Sequence, residues 1–352
     1  MSFSMGANWI RLFTTLLFLF PALILLRAGS YNLTAGLLLL SSLAFCIWHH
    51  RELRLEKDDR LFFAFLFSYP IILLLAVVLQ GGKWSSLDYP WRALALIPIV
   101  LSLRTLTSKI NLAQAWAMGW IFGSVGAGAV AAYLVFWKGW LRVGRQITNE
   151  IPYGQIAAVM ALGCFLLLSQ RRAIWQALFC IIAGFAALFA LASSGSRGAW
   201  LGFGVGLLCC GIFAIQWNFR RMISVLTGVI VAMLYLQTLP PVQLRLDSLK
   251  SDIQNYQSGN SYSSTGARLD LWQRSYELAK QQPIFGVGPG NFKSALAPKI
   301  EAKPYLAEFS HAHSQYFDTL ANAGFAGLSG LLLSFLGPLY LFWHKVRRRT
   351  GW

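Results

Sequence analysis

Leu61–Leu79 reads LFFAFLFSYPIILLLAVVL, nineteen residues without a single charge. A helix needs roughly 20 apolar residues to cross the hydrocarbon of a bilayer, and this run has that length. It lacks the period-two alternation of a barrel strand, and in lipid only helices and closed barrels satisfy the backbone. The run therefore predicts a transmembrane helix. Similar runs recur along the chain: Ile10–Leu26, Asn32–Trp48, Leu87–Leu103, Leu112–Trp137, Pro152–Ser169, Ile174–Ala192, Gly198–Ile215, Ile223–Leu239 and Phe325–Trp343. The composition agrees, 56% hydrophobic against 12% charged over 352 residues. The expected fold is an all-α polytopic membrane protein of about ten transmembrane helices. Residues 1–239 would form a bundle of about nine of them, 240–324 a long loop carrying amphipathic helices, and 325–352 the last span with a basic tail. No small-residue cleavage site follows the first run, which is read as a retained span.

Orientation follows from Lys and Arg in the short connections. With the N-terminus in the cytoplasm, the inner side receives Arg51, Arg54, Lys57 and Arg60, then Arg104 and Lys109, Arg171 and Arg172, Arg220 and Arg221, and the Lys345–Arg349 tail. Every inner connection is basic, and the long segment between the last two spans falls outside. The net charge of +17 is scattered between spans, which fits topology and anionic lipid rather than nucleic acid. The five cysteines all lie in apolar runs and are read as small buried hydrophobes without disulfides. Gly119 with Gly123, and Gly198 with Gly202 and Gly206, have the small-xxx-small spacing that lets helices approach closely.

The long loop has readable parts. Asn255–Gly266 is rich in Ser, Asn, Tyr and Gly and is expected to be a flexible loop. Ser264 or Thr265 would cap a helix to about Gln281, with Leu269, Trp272, Tyr276 and Ala279 on one stripe. Pro283 and the Gly286-Val287-Gly288-Pro289-Gly290-Asn291 turns follow, and then an irregular stretch from Lys293 to Phe309.

The segment returns to the membrane through Ser310–Gly327, SHAHSQYFDTLANAGFAG. Of the five histidines only His311 and His313 fall on the outer side, at the boundary of an apolar run, where a titratable side chain is a functional candidate. Either could be a hydrogen-bonded structural group, and Glu308, His311 and His313 could form a small metal site. Arg197 lies in Ser193-Ser194-Gly195-Ser196-Arg197-Gly198, whose small residues suit anion binding; an arginine snorkelling at a span end is the alternative. Arg268 lies in the first turn of the expected loop helix, where it opposes the helix dipole unless an anion binds there too. Lys138, Arg142 and Arg145 make one outer loop basic and Lys83 with Arg92 another, a vestibule suited to a polyanionic lipid.

Three of these places resemble the bacterial O-antigen ligase and O-antigen polymerase superfamily, closest to the ligase of lipopolysaccharide assembly. His313-Ser314, nine residues, then Gly324-x-x-Gly327 is similar to its histidine pattern. Ser196-Arg197-Gly198-Ala199-Trp200 resembles its membrane-end arginine motif. Arg268-x-x-x-Trp272 with Pro283-x-x-Gly286-Val287-Gly288-Pro289-Gly290-Asn291-Phe292 resembles its external-loop signature. The resemblance covers Ser193 to Gly327. Relatives usually continue with further spans beyond the point where this chain reaches Trp352.

The resemblance implies a glycosyltransferase with a GT-C-like bundle in the bacterial inner membrane and an active site facing the periplasm. The implied donor is a polysaccharide on undecaprenyl pyrophosphate, and the implied acceptor is the lipid A–core oligosaccharide. It gives catalytic roles to His313 and Arg197, with Arg268 binding pyrophosphate and His311 a neighbour outside the pattern. Lys83, Arg92, Arg142, Arg145 and His311 complete the expected anion-binding set. A histidine near neutral pKa suits proton removal from an acceptor hydroxyl, and arginines can neutralise the leaving pyrophosphate. Neither a metal nor another cofactor is called for, and one displacement would invert the anomeric centre. The alternatives are the polymerase, which joins lipid-linked repeat units, a protein-glycosylating relative, and a non-enzymatic lipid-linked oligosaccharide transporter.

Overall fold

The computed structural model describes residues 2–53, 55–107, 112–168, 173–215, 240–300 and 303–350, with the single positions 223, 227 and 234. All the regular secondary structure of the described residues is helical, with no strand among them. In chain order the helices are α1 (Ser2–Leu23), α2 (Ser30–Trp48), α3 (Lys57–Gln80), α4 (Leu96–Thr107), α5 (Ala113–Ala132), α6 (Glu150–Leu168), α7 (Ile174–Ser193) and α8 (Arg197–Ile215). They continue with α9 (Pro240–Gln257), α10 (Ser264–Gln281), α11 (Phe292–Ile300) and α12 (Gln315–Thr350). Among the described residues, six helices are long and apolar enough to cross a membrane: α2, α3, α5 with its extension to Trp137, α6, α7 and α12 from Gln315 to Lys345. Two shorter apolar stretches, Ala7–Leu23 and Arg197–Cys210, coincide with the first and eighth expected spans. The protein is an all-α multi-pass membrane protein.

The fourth expected span, Leu87–Leu103, takes a different form. Short turns at Trp84–Leu87, Asp88–Trp91 and Arg92–Ala95 lead into the twelve-residue α4. The polar entry explains the break: Arg92 pairs with Asp88 at 2.5 Å and both stay exposed. The ninth expected span, Ile223–Leu239, lies almost wholly outside the described residues.

The chain folds as two compact units. The first comprises Met1–His50 and Ser102–Ser248. Its helices meet through small residues. A side chain at Gly119 or Gly123 would collide with the Phe18 or Pro21 carbonyl of α1, and one at Gly128 would stand 2.6 Å from Ala186 of α7. This is the close backbone approach that drives helix association in lipid. The second glycine series is only partly used. Gly206 packs on Leu162, whereas Gly198 and Gly202 meet nothing within 4 Å among the described residues, because that face of α8 points away from α6. Tyr153 of α6, fully buried, donates its hydroxyl to the Ala127 carbonyl of α5 at 3.2 Å.

The second unit comprises Arg51–Leu101 and Leu249–Trp352. Here α3 and α12 lie side by side: Ser68 Oγ donates to the Gly330 carbonyl at 2.9 Å, and Tyr69 Oη and Thr319 Oγ1 are 3.0 Å apart. Residues 258–300 and 303–314 fold onto them around a core of Leu271, Leu278, Phe292, Leu296, Leu306 and Ala321. α10 begins and ends close to expectation, but its cap is Ser263, whose Oγ accepts the Gly266 N–H at 3.0 Å. The buried stripe is rotated from the expected one. Leu271, Ser275, Leu278 and Ala279 are buried, while Tyr276 is 46% exposed beneath the Lys280 ammonium. Two helices of this segment were not placed individually by the sequence. α9 reaches Gln257, so the loop begins later, at Ser258. α11 forms through Pro298 because Phe292 and Leu296, at i and i+4, are buried in the same core as α10.

The joint at Gly324 organises the unit. α12 is interrupted there by φ 64°, ψ −161°, a conformation open essentially to glycine alone. The Pro283–Gly288 turns satisfy the freed backbone groups. Val287 and Gly288 N–H donate to the Ala321 and Asn322 carbonyls at 2.9 and 3.0 Å. Phe325 and Ala326 N–H donate to the Pro283 and Ile284 carbonyls at 2.8 and 3.2 Å. The glycine-rich signature is thus the splint of a broken helix.

Candidate functional site

In the second unit, the loop Phe309–Ser314 carries both candidate histidines just before α12. His313 has φ 50°, the one non-glycine residue with positive φ among those described. Such backbones are uncommon outside glycine and persist where the surroundings over-determine them, often at functional sites. Its ring is exposed, with Phe309 edge-on at 5.3 Å and His311 at 4.2 Å between centroids. His311 Nδ1 lies 3.2 Å from Ser310 Oγ.

Between the histidines, Ala312 is fully buried. Its carbonyl accepts from Trp272 Nε1 of α10 at 3.0 Å, and its N–H donates to Asp318 Oδ1 of α12 at 3.1 Å. Trp272 stands one turn beyond Arg268 on the same helix face, so the contact that holds the loop also brings Arg268 towards it. The electrostatics agree. Partial burial, then the charges of His311 and Arg268, hold the His313 imidazole below its ordinary value of 6.5. A neutral imidazole with an accessible ring and a nearby guanidinium can take a proton from a hydroxyl while an anion sits alongside.

A buried carboxylate fixes α10 from behind. Asp270 accepts from Lys303 Nζ at 2.6 Å and from the Tyr305 hydroxyl. Burial alone would raise its pKa, but hydrogen bonds from Lys303, Tyr305 and Ser261 outweigh that and hold it below the usual carboxylate range. Burial and the same carboxylate push Tyr305 up to about 12. This link ties α10 to the segment that runs on to Phe309 and the histidines.

The remaining basic candidates of this unit divide. Lys83 is drawn to the glycine turns, its N–H donating to the Pro289 carbonyl at 2.7 Å and its side chain lying against Gly290. Arg92 is held by Asp88 and stacks over Tyr89 at 4.4 Å, an exposed local pairing. Among the described residues no group of three or more His, Cys, Asp and Glu side chains comes together, so Glu308, His311 and His313 do not gather into a cluster.

The first unit holds the other arginine motif. Ser193, Ser194 and Ser196 are buried, and Gly195 turns the chain with φ 63° between α7 and α8. Arg142 lies over this turn. Its Nε donates to the Ser194 carbonyl at 3.3 Å, and Val143 N–H donates to the Ser193 carbonyl at 2.9 Å. Ser194 Oγ accepts Ser196 N–H at 3.2 Å, and Trp200 Nε1 donates to the Leu191 carbonyl. Arg197 is half-buried as the first residue of α8, a helix with no acidic residue in its first turn. Arg142 thus lies over the turn that leads into α8, and Arg197 is the first residue of that helix, where dipole and guanidinium together favour an anion. Arg145 is exposed on the adjoining loop.

An open, largely apolar cavity of about 310 Å³ lies in the same unit, lined by Phe20, Pro21, Trp116, Trp120, Gln155 and Val159. Elsewhere on α6, the missing side chain of Gly154 admits Ser194 of the arginine turn. Sequence reasoning singled out the arginines and histidines but not Asp318; an acid five residues after His313, at the edge of an apolar run, was the available signal.

Residues 182–332 match a family model described as O-antigen ligase. That span contains Arg197, Arg268, Trp272, His311, His313, Asp318 and the Gly324 joint. A Haemophilus influenzae protein described only as uncharacterised is 26% identical over 338 residues, covering 92% of this chain and 83% of that relative.

Proposed function

We propose, from the membership of this chain in the O-antigen ligase family through residues 182–332, that it is a periplasm-facing glycosyltransferase of the bacterial inner membrane. It moves O-antigen polysaccharide from undecaprenyl pyrophosphate onto lipid A–core. The family match supports ligase-type or polymerase-type activity; donor, acceptor and mechanism are our reading. The observation that carries it is His313, an accessible imidazole kept neutral on a pinned loop with Arg268 beside it.

In this reading His313 removes the proton from the acceptor hydroxyl as that oxygen attacks the anomeric carbon. The bond to the pyrophosphate breaks on the opposite face, and the configuration inverts. The bond's electron pair leaves with the pyrophosphate, and Arg268 neutralises the negative charge developing there, which stabilises the transition state more than the ground state. Taken by itself, the first unit offers the Arg142–Arg197 turn as an anion-binding element and an apolar cavity whose lining suits an isoprenoid chain. Lys83, Arg92, Arg145 and His311 add positive potential or donors for phosphate and sugar hydroxyls.

The test combines purified protein with lipid-linked polysaccharide and lipid A–core, without added metal. High-molecular-weight lipopolysaccharide supports the ligase. Extension of lipid-linked chains in the absence of lipid A–core points to the polymerase. Activity abolished by a chelator would sink the metal-free mechanism, and no product with either acceptor would sink the enzyme reading in favour of transport.

Two further outcomes are expected. Arg268→Lys keeps the charge but loses the planar fork, and kcat should fall about tenfold or more, with full activity removing Arg268 from the mechanism. The acid limb of kcat/KM reports the free enzyme's base. A lowered His313 pKa keeps the neutral form present as pH falls, so this limb should lie below pH 6.5. A limb above that value would mean another group is titrating.

A further inference from the structure

The turn that presents the two histidines has no polar side chain of its own at its buried point. Ala312 contributes only backbone, and both of its backbone groups are taken by side chains from different helices. Trp272 and Asp318 make these contacts from positions 40 residues before and six residues after Ala312. They are coupled to each other, because the Trp272 indole stacks on Phe317, the neighbour of Asp318, with centroids 5.1 Å apart and planes 9° from parallel.

We propose that Trp272 and Asp318 are positioning residues for glycosyl transfer. They clamp the Ala312 backbone from both sides and so set the direction in which His313 presents its imidazole. The inference rests on His313 being the base. An imidazole on a positive-φ residue at a loop edge has several relaxed alternatives once its neighbour is released, and the clamp removes them. Asp318 also begins α12 well: its N–H donates to the Ser314 carbonyl at 2.8 Å, and a carboxylate in a first turn complements the helix dipole. A purely helix-stabilising role is therefore the rival to be separated by kinetics.

The full-length protein is compared as wild type, Trp272→Phe, Asp318→Ala, Asp318→Asn and His313→Ala, measuring kcat and KM for the lipid-linked donor together with melting temperature. Trp272→Phe keeps the stacking ring but loses the N–H donor. Asp318→Asn keeps an oxygen that can accept from Ala312. A misplacement of about 1 Å at a reacting group costs on the order of 100-fold, so Trp272→Phe and Asp318→Ala should lose about that much kcat with KM nearly unchanged. Asp318→Asn should restore kcat to within about fivefold of wild type. Wild-type kcat in Trp272→Phe or Asp318→Ala overturns the clamp. So does Asp318→Asn failing as badly as Asp318→Ala, or a loss that follows melting temperature in Asp318→Ala and is missing in Trp272→Phe. A fully active His313→Ala would instead sink the base assignment itself.

Discussion

His313→Ala should abolish transfer, with kcat/KM falling by about 10² to 10⁴, while the protein still folds and inserts. The two halves of that expectation have separate physical grounds. The His313 ring is exposed, with the edge-on Phe309 and the His311 ring in aromatic contact among the described residues, so its removal leaves little cavity. The turn is held through Ala312 and not through the imidazole. On the proposed mechanism, function loses the group that accepts the hydroxyl proton, for which His311, with Ser310 against its Nδ1, is in a different position. The measurement is formation of high-molecular-weight product by purified protein, with melting temperature as control. A variant that keeps a tenth or more of the activity would move the base elsewhere.

Gly324→Ala should have the largest structural effect. A methyl group there would stand 2.5 Å from the Pro283 carbonyl oxygen and nearer still to that of Ile284. Both are backbone atoms, fixed by their own hydrogen bonds to Phe325 and Ala326. Alanine would also have to hold φ 64°, ψ −161°, a region that costs a non-glycine residue on the order of 1–3 kcal/mol before any collision. Overpacking adds about as much again. The yield of folded protein in the membrane should drop severalfold, and the remainder should lose activity because the splint positions α10 against the start of α12. Gly36→Ala is the control, a helical glycine with nothing within 4 Å among the described residues, and should be neutral within about 1 kcal/mol. Equal behaviour of the two variants would show that the joint tolerates a side chain.

Much of the site was legible because its signals are local in the chain. Composition and run length locate α2, α3, α5, α6, α7 and the apolar part of α12 within a few residues. Capping chemistry and the Pro283 stop bound α10, and glycines at 286, 288 and 324 announce backbone that only glycine adopts. The misreadings have one physical cause, that packing partners distant in sequence override local preference. The stretch from Lys293 reads as irregular, yet burial of Phe292 and Leu296 supports a helix there. The stripe on α10 turned towards Leu271 and Leu278 because α11 lies there. Gly198 and Gly202 have the right spacing for helix contact, but α6 is not on their side.

The sequence by itself therefore determined the solvent, the helical class, the helices that can span, and the residue types able to move a proton or hold a phosphate. All of these depend on composition and on periods of a few residues. The tertiary structure decided which of the two histidines has the strained backbone, that Arg142 belongs with the Arg197 turn, and that the glycine signature splints the break in α12. It also decided that Trp272 and Asp318 hold the Ala312 backbone between the two histidines. Those facts rest on contacts closed over tens of residues, such as Trp272 to Ala312 and Pro283 to Phe325, whose geometry exists only once the helices have packed.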